Sequence, residues 1–257
     1  MRPPHLSLSP AITAFVSAMA CSSPSPEDPL VTTQQPTASP NAIEHNRVPQ
    51  DAQRDALRHP EVFMDFAGVA PGHQVLELGG GDGYTSMHIA RRAGPSGGVL
   101  AVNPPQWSTF MRPYIAARLA NGPVAGLTFA ERPFDDPVPP GHVPLDLVVC
   151  VLIYHDILYI DVDRARMNER LFAALEPGGK LLIIDHAAGD PNDLSVGGTL
   201  HRIGKDAVID EVTAAGFSLV NESDALSMPE DPHTGLAWTD PQPRTDRFVL
   251  LFEKPKR

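Results

Sequence analysis

The sequence predicts an α/β protein: a doubly wound, mostly parallel seven-stranded sheet with an antiparallel hairpin at one edge. Three observations carry this. From about residue 50 onward short apolar runs alternate with helical stretches, a glycine-rich turn follows the first run, and the last two runs have no helix between them.

The elements follow in order. Asp51 to Phe66 reads as a helical lead-in interrupted at Pro60, and Pro71-Gly72 punctuates the chain before a first strand, Gln74 to Leu78. Helix Tyr84 to Arg92 comes next. Further strands are expected at Gly98 to Val102, Gly126 to Ala130, Leu145 to Leu152 and Lys180 to Ile184, with helical stretches between them. Helix Asp206 to Ala214 precedes Phe217 to Asn221 and Arg247 to Glu253, the two strands expected to pair at the edge. No internal repeat is present.

Composition narrows the functional classes. The chain has 257 residues, 42% of them hydrophobic, enough for one substantial core. A formal net charge of −11 and the lack of any Lys/Arg cluster argue against nucleic acid as a partner. A small-molecule partner is expected instead; oligomeric state cannot be read.

The amino-terminal region does not belong to the core. Arg2 is followed by a mostly apolar run from Leu6 to Ala20 that ends in Ala18-Met19-Ala20, the form of a secretory signal over residues 1–20. Cys21 directly after that point resembles the lipid-attachment cysteine of exported bacterial lipoproteins, although Ala18 stands where Leu is usual. The run is too short to span a membrane. Export is the expected location, as a lipoprotein anchored in the membrane at Cys21 or as a soluble periplasmic protein; a cytoplasmic protein whose start lies further downstream is the alternative. Residues 21–46, rich in Pro, Ser and Thr, read as a disordered tether, and the folded domain is expected over 47–257. Of the two cysteines, Cys150 sits in an apolar run, so no structural disulfide is expected.

The informative stretch is "VLELGGGDGYTS", Val75 to Ser86. A strand that runs into Gly79, Gly80, Gly81 and Gly83 before a helix lets a ligand approach the backbone, because no Cβ intervenes. The spacing at 79, 81 and 83 is G-x-G-x-G; the dinucleotide fingerprint would need glycine at 84, where Tyr84 stands. The alternative reading is a tight strand-helix turn with no ligand.

An acid followed by G-x-G-x-G at the end of a first strand resembles the class I S-adenosylmethionine-dependent methyltransferases, a Rossmann-like fold. "GGVLAVNPP", "LDLVVCVLIYHD" and "LFAALEPGGKLLIIDH" are similar to that family's second, fourth and fifth strands, and the likeness runs from about Glu61 to Pro255. Within the family "YHD", "IDHA" and "LHRI" look like a group of exported bacterial methyltransferases. The resemblance implies S-adenosylmethionine as cofactor, with Gly79, Gly81 and Gly83 under its methionine and ribose portion and Glu77 supporting the amino end. It places Asn103 where the family usually has an acid for both ribose hydroxyls. An amide has one acceptor oxygen, so Asn103 is expected to limit affinity, by about tenfold at most. Asp135 falls where the adenine amino group is contacted, with Asp136 as the alternative.

The acceptor site is expected beyond the fourth and fifth strands, where the chain carries Tyr154-His155-Asp156 and Asp185-His186, with His201 before the helix at Asp206. An imidazole beside a carboxylate suits proton removal from an acceptor as the methyl arrives, so His155, His186, Tyr154, Asp156 and His201 are the candidate catalytic residues. Each also has a plain packing role as its alternative. A metal site drawn from His155, His186 and His201 with Asp156 or Asp185 is a further alternative, but no metal is expected. There is neither a metalloprotease-type histidine pair nor a G-x-S-x-G elbow. The loop from Glu222 to Thr245, with Trp238, is long enough to cover the acceptor. The expected activity is methyl transfer to a small molecule; the other class is an exported lipoprotein that keeps the fold as a non-catalytic adenosyl-ligand-binding module.

Overall fold

The computed structural model describes residues 46–239 and 244–256. The expected signal segment 1–20, Cys21 and the tether up to residue 45 lie outside the described residues. Asn46 is already part of the folded unit: it is buried, and its amide donates to the Gly122 carbonyl at 3.0 Å.

Strands β1 (Gln74–Leu78), β2 (Gly98–Asn103), β3 (Leu127–Glu131), β4 (Leu145–Val151), β5 (Leu175–His186), β6 (Ser218–Ser223) and β7 (Arg247–Glu253) form one sheet. Its order is β3-β2-β1-β4-β5-β7-β6. The first five strands are parallel, and β7 runs antiparallel to both β5 and β6. The mixed seven-stranded sheet is therefore the one expected, with β7 inserted between β5 and the edge strand β6.

Period-two alternation explains why the sheet is covered on both faces. Leu76, Leu78, Val148, Cys150, Leu181 and Ile183 enter one apolar layer. Their chain neighbours Val75, Leu147, Val149, Leu182 and Ile184 enter the opposite one. Helices α1 (Asp51–Arg58), α2 (Pro60–Ala67), α3 (Tyr84–Ala93), α4 (Pro105–Arg118), α5 (Arg164–Ala174), α6 (Gly197–Leu200) and α7 (Lys205–Ala214) complete the chain. The lead-in breaks where expected: Pro60 cannot continue α1, and His59 turns the chain in a left-handed conformation, φ 47°.

Several boundaries differ from the sequence expectation by one or two residues, and the start of β5 by more. β3 begins at Leu127 and ends at Glu131, one step later than expected. β5 begins at Leu175 instead of Lys180, because Leu175 pairs with Leu145 before a register irregularity leads to the Leu147–Lys180 pair. None of these moves the functional end of the sheet. The carboxyl ends of β2, β1, β4 and β5 lie side by side, and the connections leave β1 and β4 in opposite directions. That reversal opens a crevice at the strand ends. No helix among the described residues is long and apolar enough to cross a membrane.

Candidate active site

The crevice holds a cavity of about 640 Å³. The glycine turn supplies part of its wall through Glu77, Gly79, Gly80, Gly81 and Asp82. Gly79, Gly81 and Gly83 all take positive φ, at 75°, 56° and 87°. Their surroundings differ. A Cβ on Gly79 would lie 2.4 Å from Cγ1 of Ile153, and one on Gly83 would lie 2.5 Å from the Phe129 ring, whereas at Gly81 nothing but the Gly79 carbonyl comes within 4.0 Å. Gly79 and Gly83 are thus required by packing as well as backbone, and Gly83 itself does not line the cavity.

A buried ionic network clamps this turn, and sequence reasoning did not find it. Arg118, at the end of α4 and 1% exposed, donates to both Asp51 oxygens at 2.8 and 3.1 Å. The same guanidinium donates to the Asp82 carboxylate at 2.8 Å and, through Nε, to the Asp82 carbonyl at 2.7 Å. Arg54 of α1 reaches Asp82 at 2.7 Å, and the Tyr84 hydroxyl donates to Asp55 at 2.8 Å. Helix α1 is therefore tied down over the turn from several sides. Burial acts to raise the pKa of Asp82, but Arg118 and Arg54 outweigh it and hold the carboxyl below its usual range. Only Asp82 could be noticed in the sequence, inside the turn; the partners lie tens of residues away with no local signature.

Glu77 is 3% exposed and accepts from the Ser86 hydroxyl. Burial, helped by the neighbouring Asp82 charge, outweighs the hydroxyl hydrogen bonds and pushes its carboxyl up to about 7. Arg58 also lines the cavity, and its Nε is buried without a hydrogen-bond partner. These two opposite charges were placed by different elements, β1 and α1, beside the same turn.

At the other end of the cavity the chain brings together His155, Asp156, His186 and His201. The ring centroids of His155 and His186 are 5.8 Å apart, and those of His155 and His201 5.3 Å. Asp185 is fully buried; it accepts from the backbone N–H of His155 and of His186 and stands 2.6 Å from His155 Nδ1. Asp156 lies 3.1 Å from His155 Nε2 on the other side. Burial opposes a charge on His155, yet the two carboxylates prevail and raise its pKa to about 10. His186 is the opposite case: burial first, then the positive charge of Arg247, hold it well below the usual value. Its Nδ1 faces the Thr245 hydroxyl at 2.6 Å. Gly197 explains how His201 arrives here, since a Cβ on it would lie 2.7 Å from the His155 carbonyl. Trp238, between β6 and β7, lines the cavity, and the adjacent Ala237 is pinned by its N–H to the Leu200 carbonyl at 2.9 Å.

Besides Gly83, three expected site residues are placed elsewhere. Tyr154 is turned away into the core, 1% exposed, donating to Glu211 at 3.0 Å and accepting from Asn168 at 2.8 Å. Burial and the Glu211 charge push its phenol well above the usual pKa, so it is a packing residue and not a cavity one. Asn103 does stand at the end of β2, but both halves of its amide bond the Gly81 backbone, so it braces the turn from behind. Asp135 does not line the cavity; the wall there is formed by Trp107, Phe110, Met111 and Tyr114 of α4. A second cavity of similar volume is lined by the Lys205–Glu222 and His233–Asp246 pairs and by none of the glycine turn.

This geometry has known counterparts. Over 192 residues the chain is 30% identical to aclacinomycin 10-hydroxylase RdmB of Streptomyces purpurascens, a stretch that is 68% of this chain and 48% of that protein. It is 29% identical to an arsenite methyltransferase of Halobacterium salinarum over 135 residues, 51% of this chain and 32% of that one. A solved S-adenosylmethionine-dependent methyltransferase from Aquifex aeolicus superposes with a TM-score of 0.58 at 16% identity, over 84% of this chain and 98% of that one. The fold is that of the S-adenosylmethionine-dependent methyltransferases. The chain spans about a third to a half of the length of the curated relatives it matches. No protein-family model matches it. The glycine turn after β1 and the ends of β4 and β5 face one crevice.

Proposed function

We propose that the chain transfers a methyl group from S-adenosylmethionine to a small molecule with an apolar body. The observation that carries this is the continuity of the cavity, which joins the glycine turn and Glu77 at one end to His155, His186 and His201 at the other. When bound, S-adenosylmethionine supplies a methyl group already activated on a sulfonium. The residues present fit it: Gly81 offers backbone with open space in front of it, Glu77 suits the ammonium of the methionine portion, and the unpartnered Arg58 Nε suits its carboxylate.

The chain's own work is alignment and proton removal. Holding the acceptor in line with the methyl accounts for most of the acceleration such a reaction needs. His186 is the side chain suited to take a proton from an acceptor O–H, N–H or S–H. With its proton on Nδ1, toward Thr245, Nε2 is left as the acceptor.

Support for an apolar acceptor comes from the mouth of the cavity. Phe110, Tyr114, Tyr159 and Trp238 all line it, yet are 49%, 60%, 49% and 56% exposed. Large side chains exposed together around a cavity mark a binding surface. The relatives' names point in different directions, to arsenite in one case and to hydroxylation of aclacinomycin in the other, so the acceptor is read from this cavity's own walls.

Calorimetric titration of the full chain with S-adenosylmethionine and S-adenosylhomocysteine tests the reading. One-to-one binding that is lost in Gly81→Val, whose side chain would enter the open space before the turn, is expected. If neither compound binds at millimolar concentration, the chain is not a methyltransferase of this kind.

A further inference from the structure

The geometry points to a divalent transition-metal site, of the kind zinc occupies, formed by His155, Asp156 and His201 at the acceptor end of the cavity. Asp156 Oδ1 is the centre of the group: His155 Nε2 and His201 Nδ1 each lie 3.1 Å from it. The three ligand atoms all fall within 4.8 Å of one another. Around a tetrahedral ion with bonds of about 2.0–2.2 Å, neighbouring ligand atoms are separated by roughly 3.3–3.6 Å. The side chains therefore need shift only by tenths of an ångström to a little over one to accept an ion.

Two independent features distinguish this cluster from a chance meeting of polar groups. The first is the fully buried Asp185 on the far nitrogen of His155, at 2.6 Å. Its carboxylate is fixed by two backbone N–H groups, so it holds the imidazole with Nε2 directed at Asp156. A carboxylate behind a ligating histidine is the usual means of fixing the tautomer and ring orientation at a metal. The second is the rigid meeting of two chain segments. Helix α6 packs so closely on the turn at 156–158 that Gly197 has no room for a Cβ against Leu158 and the His155 carbonyl, and His201 is thereby carried beside Asp156.

Two imidazoles and one carboxylate suit zinc and its transition-metal neighbours and are poorly suited to calcium or magnesium, which prefer all-oxygen shells. All three residues line the cavity, and Asp156 and His201 remain partly exposed, so a further coordination position faces the space where the acceptor enters. Among the described residues no other group of three His, Cys, Asp or Glu side chains gathers its ligand atoms this closely. Metal binding stands on this geometry alone. That the ion then holds an acceptor through an oxygen, nitrogen or sulfur rests on the methyl-transfer reading above.

The test uses the untagged full chain, stripped with a chelator, and titrated separately with Zn²⁺ and Co²⁺, by calorimetry and by the visible absorption of bound cobalt. One ion per chain is expected, with a micromolar or tighter dissociation constant. His201→Ala and Asp156→Asn should each weaken it at least tenfold while circular dichroism and S-adenosylhomocysteine binding stay as in the parent. Asp185→Asn should weaken it about 10- to 100-fold if it folds. Absence of stoichiometric binding, or equal binding by both His201→Ala and Asp156→Asn, overturns the site. Because cofactor binding is measured on the same samples, loss of the metal site and loss of the methyltransferase reading give different results.

Discussion

The carboxamide of Asn103 closes on the backbone of Gly81 in both directions: the Gly81 N–H donates to Oδ1 at 2.8 Å, and Nδ2 donates to the Gly81 carbonyl at 2.9 Å. The end of β2 thus holds the glycine turn in shape instead of offering a free acceptor to the cavity. Only a side-chain amide can do both, because it carries a donor and an acceptor in one plane.

Asn103→Asp should therefore weaken cofactor binding, the reverse of what the residue's position in the sequence leads one to expect. An aspartate keeps the bond from the Gly81 N–H but sets a negative charge against the Gly81 carbonyl, at a buried position. The loss is about 1–3 kcal/mol, shared between folding and binding. Calorimetry with S-adenosylhomocysteine should show several-fold weaker binding, and thermal unfolding a lower midpoint. Tighter binding would mean that the ribose reaches residue 103 and displaces Gly81.

Glu77 should make both stability and cofactor affinity depend on pH, in opposite directions. The native state keeps its proton up to about 7, while the unfolded chain releases it near 4.5. Between those values the folded form binds more protons, so stability falls as pH rises through the window, by up to roughly 3 kcal/mol. A cofactor ammonium favours the ionised carboxylate, so affinity should rise with pH through about 7. Urea unfolding and calorimetry at pH 5 and pH 8 check this. Glu77→Gln should remove the share of both dependences that Glu77 sets, leaving those of His155 and His186, and a variant whose pH dependence matches that of the parent would contradict the assignment.

The features legible in the sequence were those written in consecutive residues. The glycine turn, the strand ends carrying His155 and His186, and the lead-in broken at Pro60 all occupy short windows, and each is found where expected. What could not be read were side-chain directions and long-range pairs. Tyr154 precedes His155 directly, yet one enters the core and the other the cavity, because both lie in the turn beyond β4, where no strand or helix period sets side-chain direction. Arg118 and Asp51 are 67 positions apart, and no periodicity announces that they meet.

Arg118 should be among the most costly residues to replace. Arg118→Met removes the partner of two carboxylates, one of them, Asp51, only 2% exposed, and about 3–5 kcal/mol of stability should go with it. Arg118→Lys should recover part of this at most, since an ammonium cannot serve both carboxylates and the Asp82 carbonyl in the same fixed plane. Denaturant unfolding measures the cost. Because the Asp82 carbonyl belongs to the glycine turn, cofactor affinity should drop in both variants even under conditions where each is folded. A lysine variant as stable as the parent would show that the network is not held by the guanidinium geometry.

His186 and Tyr154 separate chemistry from packing at the acceptor end. Both were candidates from sequence, but His186 lines the cavity whereas the Tyr154 hydroxyl is occupied by Glu211 and Asn168 in the core. His186→Ala should lower turnover about a hundredfold, the usual contribution of a proton-accepting side chain, and leave S-adenosylhomocysteine affinity within a few-fold of the parent. Tyr154→Phe should do the reverse. It leaves Glu211 and Asn168 each short of a hydrogen bond, at about 1–3 kcal/mol of stability, while turnover of the folded enzyme stays near that of the parent. Release of S-adenosylhomocysteine in the presence of a panel of small acceptors with apolar bodies reads turnover, and thermal unfolding reads stability, on the same preparations. If His186→Ala keeps full turnover, alignment alone carries the reaction and the histidine is structural. If Tyr154→Phe loses turnover without losing stability, the phenol reaches the acceptor in a conformation other than the one described here.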